Sequence, residues 1–139
     1  MASELRALLL GYGYAGKTFH APLLRSTTGL KLTHVASSQA AQIKQELGAD
    51  VTVLADYPAA VQLADIDLVV IASPNDSHAP LAELALRAGK HVVVDKPFAL
   101  TFKEAKALTA LATEQKLLLS VFHNRRWDGD FMSVRAVLQ

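Results

Sequence analysis

Six short apolar runs punctuate the chain: Leu5 to Leu10, Leu30 to Ala36, Val51 to Leu54, Leu68 to Ala72, His91 to Val94 and Leu117 to Phe122. Each has the length of a β-strand. Most are near-continuous Leu, Val and Ile rather than alternating with polar residues, and Leu68-Val69-Val70-Ile71 and Val92-Val93-Val94 are the clearest. A strand reads this way when helices cover both faces of a parallel sheet.

Helical periodicity fills the intervals. After Asp76-Ser77, either of which could cap, Leu81, Leu84, Ala85 and Ala88 fall at i, i+3, i+4 and i+7, and Gly89 supplies a stop. Thr101 with Glu104 forms a capping-box pattern ahead of the stripe Ala105, Leu108, Leu111 and Ala112. Shorter helices are predicted over about Gly16 to Ser26, Ala40 to Leu47 and Tyr57 to Leu63, the last opened by Pro58. A final stripe, Phe131, Val134, Val137 and Leu138, predicts a helix from near Asp128. It runs to Gln139 without a capping residue, so the ending reads as cut. Alternating strands and helices predict βαβ units: an α/β, Rossmann-type doubly wound sheet of about six mostly parallel strands, with helices on both faces.

Composition narrows the functions. The 139 residues suit one domain, which at this length buries about two-thirds of its unfolded surface and needs no metal or disulfide staple. There is no cysteine, which removes disulfides, thiolate metal sites and cysteine nucleophiles. Fourteen Lys and Arg against 13 Asp and Glu give a net charge of +1, without the basic block that nucleic acid requires. Met1-Ala2-Ser3-Glu4-Leu5-Arg6 leads into too short an apolar run for a signal peptide, and no segment reaches the about 20 apolar residues of a membrane span. No nucleic-acid partner, no membrane and a cytoplasmic location are the expectations.

The chemistry concentrates at strand ends. Gly11-Tyr12-Gly13-Tyr14-Ala15-Gly16 is a G-x-G-x-x-G directly after the first predicted strand and before the first helix. Gly11 permits the tight turn, Gly13 admits a pyrophosphate to the backbone, and Gly16 allows the helix to pack closely on the strand. The free amides of that helix start face the phosphates. At the end of the second strand, where an acid would bind the ribose 2'-hydroxyl, stand Ser37-Ser38-Gln39. Two hydroxyls and an amide bind a 2'-phosphate without repelling it, so NADP is favoured and NAD stays open; Lys44 is the nearest downstream cation and reads as a solvated helix residue. Ser73-Pro74-Asn75-Asp76-Ser77-His78 follows the fourth strand and Asp95-Lys96-Pro97 the fifth. In an open parallel sheet the ligand crevice lies at those carboxyl ends. Lys96 is the candidate catalytic residue, able to hydrogen-bond a substrate hydroxyl or carbonyl or to help move a proton.

Four strings in this order, the glycine loop continuing through Lys17-Thr18-Phe19-His20-Ala21-Pro22, Pro74-Asn75 with His78, Ala85 to Val92 around Gly89-Lys90-His91, and Asp95-Lys96-Pro97, resemble the Gfo/Idh/MocA oxidoreductases. The likeness spans the chain and closes with Phe122-His123-Asn124-Arg125-Arg126-Trp127-Asp128. The resemblance implies a Rossmann domain for NAD or NADP over residues 1–139, with a second α/β domain for the substrate absent from this chain. It implies that Lys96 matches the lysine of the family's Glu-Lys-Pro turn, held to contact the nicotinamide ribose and the reacting oxygen, before a frequently cis proline. Asp95 replaces the usual glutamate and is one methylene shorter. The implied cofactor contacts are Gly11, Tyr12, Gly13, Tyr14, Ala15, Gly16, Ser37, Ser38, Ser73, Pro74, Asn75, His78, Asp95, Lys96, Asn124, Arg125 and Trp127, with Arg126 left out. The implied activity is hydride transfer to or from a sugar, polyol or related alcohol or carbonyl, by a full-length parent for which a homo-oligomer is left open. The alternative is a non-catalytic nucleotide-sensing module on the same fold.

Overall fold

The computed structural model describes residues 4–139; Met1 to Ser3, with which the N-terminal reading begins, lie outside the described residues. The apolar runs become β1 (Leu5–Leu10), β2 (Leu30–Ala36), β3 (Thr52–Leu54), β4 (Leu68–Ile71), β5 (His91–Asp95) and β6 (Leu119–Phe122). Every pairing is parallel, and the sheet order is β3-β2-β1-β4-β5-β6. The expected doubly wound sheet is present. The chain leaves β1 toward one edge and returns beside it as β4, so the crevice at this reversal opens above the carboxyl ends of β1 and β4.

Successive residues of β1 divide between two cores. Leu8 and Leu10 face an apolar cluster built with α3 (Tyr57–Val61), α4 (His78–Arg87) and α5 (Phe102–Gln115). Ala7 and Leu9 face the other cluster, which includes Leu24 of α1 (Ala21–Ser26) and Ile43 of α2 (Ala40–Leu47). All four are fully buried, which is why β1 is apolar at consecutive positions. Each such leucine contributes about 1.5–3 kcal/mol through removal from water.

The starts of α5 and α4, both with a capping residue expected from the sequence, behave differently. Thr101 Oγ1 accepts from the Glu104 amide at 3.2 Å while Glu104 accepts from the Thr101 amide at 2.9 Å, so the capping box forms. At the start of α4 neither Asp76 nor Ser77 caps through its side chain. Ser77 instead donates to the Pro74 carbonyl at 2.6 Å and pairs with the Ser73 hydroxyl, closing a 3-10 turn over Asn75–Ser77. Beyond α4, Lys90 turns inward at 8% exposure, and its Nζ donates to the carbonyls of Leu63 and Ile66, each at 2.8 Å. At the amino-terminal end of the sheet Asp67 accepts from the Arg6 guanidinium at 3.0 and 3.1 Å and from the Arg6 amide at 2.8 Å. These bonds hold the Asp67 carboxyl down at about 2.

The last predicted helix exists as α6 (Gly129–Leu138), but its stripe faces solvent: Phe131, Val134, Val137 and Leu138 are all exposed. No described helix is long and apolar enough to cross a membrane.

Candidate functional site

The glycine loop is set by backbone collisions. Gly11 has φ +95°, and a Cβ there would lie 2.5 Å from the Ala72 carbonyl oxygen. A Cβ on Gly16 would collide with the Gly11 carbonyl. Both positions exclude a side chain because the loop folds tightly onto itself and onto the end of β4. Gly13 differs: a Cβ there would meet nothing within 4 Å, and the residue is exposed. The space above it belongs to no protein atom, which is the arrangement a closely approaching pyrophosphate needs. The helix over residues 14–26 starts here, with the Lys17 amide bonded to the Gly13 carbonyl at 2.9 Å. Amides ahead of that bond lack intrahelical acceptors and suit an anion.

Tyr12 anchors the loop from below. Its ring is 3% exposed within the α1/α2-side core, and its hydroxyl donates to Glu46 Oε2 at 3.0 Å. Lys17 and Gln42 hold the other Glu46 oxygen. Burial, with Glu46 beside it, pushes the Tyr12 phenol up to about 12, so it remains a donor. The side chain therefore supports the loop, leaving only its backbone for a ligand.

A cleft of about 420 Å³ opens where the crevice is expected. It brings together Tyr14, Ala15, Ser73, Asn75, His78, Asp95, Lys96, Asn124 and Arg125 from four chain segments. Asp95 ends β5, with its Oδ1 accepting from the Lys96 amide at 2.8 Å; the Lys96 side chain is exposed, and the Lys96–Pro97 peptide is cis. Asp95 is the one acid among the lining residues, beside two cations, Lys96 and Arg125. That balance suits an anionic ligand. Ser37 and Ser38 follow β2 outside this cleft: Ser37 is buried and accepts from the Gln39 amide at 3.2 Å, while Ser38 is exposed. Pro74 and Trp127 are exposed and also lie outside the lining, Trp127 at 76%. A second groove, about 490 Å³ between α4 and α5, has its acids already committed, Glu83 to Arg87 and Glu104 to Thr101.

His78 is buried at 1% exposure, and both ring nitrogens face backbone carbonyls: Nδ1 that of Pro97 at 2.7 Å, Nε2 that of Ser73 at 2.9 Å. A neutral ring has one N–H, so it donates to one of these carbonyls and packs against the other, between the Ser73 loop and the Lys96 turn. Neither nitrogen is free for a ligand.

The residues that sequence reasoning missed are Phe19, His20, Ala72 and Phe122. Phe19, Ala72 and Phe122 line the cleft, and Phe19 meets Tyr14 edge to face at 5.8 Å. Residues Gly16–His20 form a π-helical segment, a widening common at functional sites. It places Phe19 at the cleft and His20 beneath it. His20 is 3% exposed, packs its ring 4.4 Å from that of Phe122, and brings Nε2 to 3.5 Å from Asp95 Oδ2. That nitrogen has no hydrogen-bond partner. Burial pushes the imidazole below its ordinary range despite the opposing pull of Asp95, so the contact is a neutral ring beside a carboxylate. The signal was present in the Gly16 to Pro22 string, where a histidine four residues past the last glycine sits on a helix with no polar role.

Residues 5–123 match the family model described as "Oxidoreductase family, NAD-binding Rossmann fold" and designated GFO_IDH_MocA. The uncharacterized oxidoreductase YdgJ of Escherichia coli is 49% identical over 138 residues, covering 99% of this chain and 40% of that protein. The scyllo-inositol 2-dehydrogenase (NADP(+)) IolW of Bacillus subtilis is 34% identical over 94% of this chain and 36% of its own length. A crystal structure from Klebsiella pneumoniae superposes with TM-score 0.93 at 60% identity, covering 99% of this chain and 40% of that one. The chain thus spans about two-fifths of the length of the proteins it matches. With its six parallel strands, glycine loop and cleft at their carboxyl ends, the chain belongs to the Gfo/Idh/MocA oxidoreductase family and carries that family's NAD-binding Rossmann domain.

Proposed function

We propose that this chain is the cofactor-binding domain of an oxidoreductase that uses NADP in preference to NAD and acts on a sugar, polyol or related alcohol or carbonyl. The observation that carries the reading is a cleft that opens between Tyr14 and Ala15 of the glycine loop and the exposed Lys96, with open space over the neighbouring Gly13. The polyol class draws on the name of the Bacillus relative.

The bound dinucleotide supplies the hydride-accepting or hydride-donating nicotinamide. The chain does the rest of the work in this half. Backbone amides at the start of the helix over residues 14–26 hold the pyrophosphate. Ser37 and Ser38 receive the 2'-phosphate without an opposing carboxylate. Asn75, Asn124 and Arg125 border the nicotinamide end, and Asp95 fixes the amide of Lys96. The Lys96 ammonium hydrogen-bonds the reacting oxygen and steadies charge or a proton there. A proton-handling group at this position favours an enzyme over a pure nucleotide sensor.

Titration calorimetry with NADP and NAD tests the binding half of the proposal. NADP is expected to bind more tightly, and this domain alone is expected to turn over a polyol and aldose panel at no rate above background. Absence of dinucleotide binding refutes the cofactor reading, and robust turnover refutes the division of labour with a second domain.

A further inference from the structure

His20 is the one buried polar side-chain atom of the described residues left without a partner, and it is aimed at the edge of the cleft. Leaving such a group unsatisfied costs about 1–3 kcal/mol. Packing alone does not require it, since a phenylalanine would stack on Phe122 equally well. Its neighbours define a role. The end of β5 brings the Asp95 carboxylate, 3.5 Å from Nε2, and β6 brings the apolar face of Phe122. The same carboxylate accepts from the Lys96 amide through its other oxygen. A path of two contacts therefore joins the helix of the glycine loop to the backbone of Lys96.

We propose that His20 is a positioning residue for the Lys96 turn: its neutral imidazole, carrying the proton on Nε2, donates to Asp95 and so holds the Lys96 backbone in register with the glycine loop. A shift of a few tenths of an ångström brings the 3.5 Å approach within ordinary hydrogen-bond range. His78 packs against the same turn, with Nδ1 2.7 Å from the Pro97 carbonyl. Two histidines thus flank the Lys96 turn, one from the glycine-loop helix and one from α4. Asp95 is well suited to this, because its side chain is only 14% exposed and turns one oxygen toward each neighbour. That the clamped turn meets the nicotinamide half of a dinucleotide rests on the function proposed above.

Three variants of this domain test the proposal: His20→Phe, which keeps the ring packing and removes the donor; His20→Gln, which restores a donor near the Nε2 position; and Asp95→Asn. Affinities for NADP and for 2',5'-ADP, which lacks the nicotinamide half, are compared by calorimetry. His20→Phe is expected to weaken NADP by about fivefold, the scale of one hydrogen bond, to leave 2',5'-ADP unchanged, and to be restored by His20→Gln. Equal NADP affinity in wild type and His20→Phe, equal weakening of both ligands, or no rescue by His20→Gln overturns it. Nitrogen-15 NMR of the unliganded wild-type and Asp95→Asn domains supplies an independent arm. The Nε2-protonated tautomer and a ring shift that moves with Asp95→Asn are expected; an Nδ1-protonated ring, or an insensitive one, overturns the contact. If wild type binds neither nucleotide, the cofactor reading fails while the NMR arm still decides the His20–Asp95 pair.

Discussion

The glycine loop and the Lys96 turn, which both reach the cleft, are built by different means. At the glycine loop, shape comes from backbone: Gly11 and Gly16 are demanded by carbonyls of Ala72 and of Gly11 itself, and open space lies over Gly13. At the Lys96 turn, shape comes from side chains: His78 spans two carbonyls, Asp95 holds an amide, and His20 stands behind Asp95. A phosphate binder needs only donors at a fixed curvature, so glycine spacing suffices. A group that handles a proton must be aimed, and aiming takes packed polar neighbours.

The sharpest way to break this contrast is at Lys96. In a full-length enzyme containing this domain, Lys96→Met is expected to lower kcat by roughly 10²- to 10⁴-fold, while NADP affinity of the domain falls by no more than the about fivefold of one lost hydrogen bond. Steady-state kinetics beside calorimetry checks both, and a large affinity loss with near-normal kcat would reverse the assignment of binding and chemistry to the glycine loop and the Lys96 turn. Within the glycine loop the positions should themselves divide. Gly16→Ala is expected to cost about 1–3 kcal/mol of stability, because its Cβ meets the Gly11 carbonyl. Gly13→Val should leave the melting temperature nearly unchanged and abolish NADP binding, since its side chain would occupy only the open space where the pyrophosphate is proposed to lie. Denaturant melts and calorimetry on the pair decide this; a destabilised Gly13→Val domain would mean that the loop is tighter than its backbone implies.

A smaller effect is expected at the end of β2. Ser37→Asp keeps an acceptor for the Gln39 amide and sets a charge against the 2'-phosphate, moving the NADP-to-NAD preference by on the order of tenfold. If wild type already prefers NAD and the substitution changes nothing, the second strand does not deliver Ser37 to the ribose. The smallest effect lies at the opposite end of the sheet. Asp67 sits at about 2 in the fold against an ordinary 3.8, so its contribution is complete above the ordinary value and is lost as pH falls through the folded one. The pair is exposed enough for solvent to screen it, and the loss is modest. Melting temperatures between pH 6 and 2.5 should fall less steeply for Asp67→Asn than for wild type; parallel curves would remove Asp67 from the acid response.

Much of this was legible because the sheet is buried on both faces. Apolar runs, most of them near-continuous, marked all six strands, and Leu5–Leu10, Leu30–Ala36 and the helix Ala40–Leu47 keep their expected limits. Where the reading failed, the cause was a polar group with a choice of partners. Ser77 closes a 3-10 turn with Ser73 and Pro74 instead of capping α4, and no local pattern separates the two uses. His20 gave no sign of its surroundings, because its neighbours lie far along the chain on β5 and β6, and the contact of His78 with Pro97, 19 residues on, is equally invisible to a local pattern. The α6 stripe had the right period, yet period reports a face and not what covers it.

The inward lysine after α4 has a consequence for chemical labelling. Lys90 spends its ammonium on two backbone carbonyls beneath the surface, while Lys96 stands exposed at the cleft. An acylating reagent needs both access and a free amine lone pair. Lys96 is accessible in the native fold and Lys90 is not, so acylation of Lys90 becomes a timer for opening of the segment between α3 and β4. Mass spectrometry of a brief acetylation would then read local unfolding from one lysine and ligand protection from the other, in the same digest.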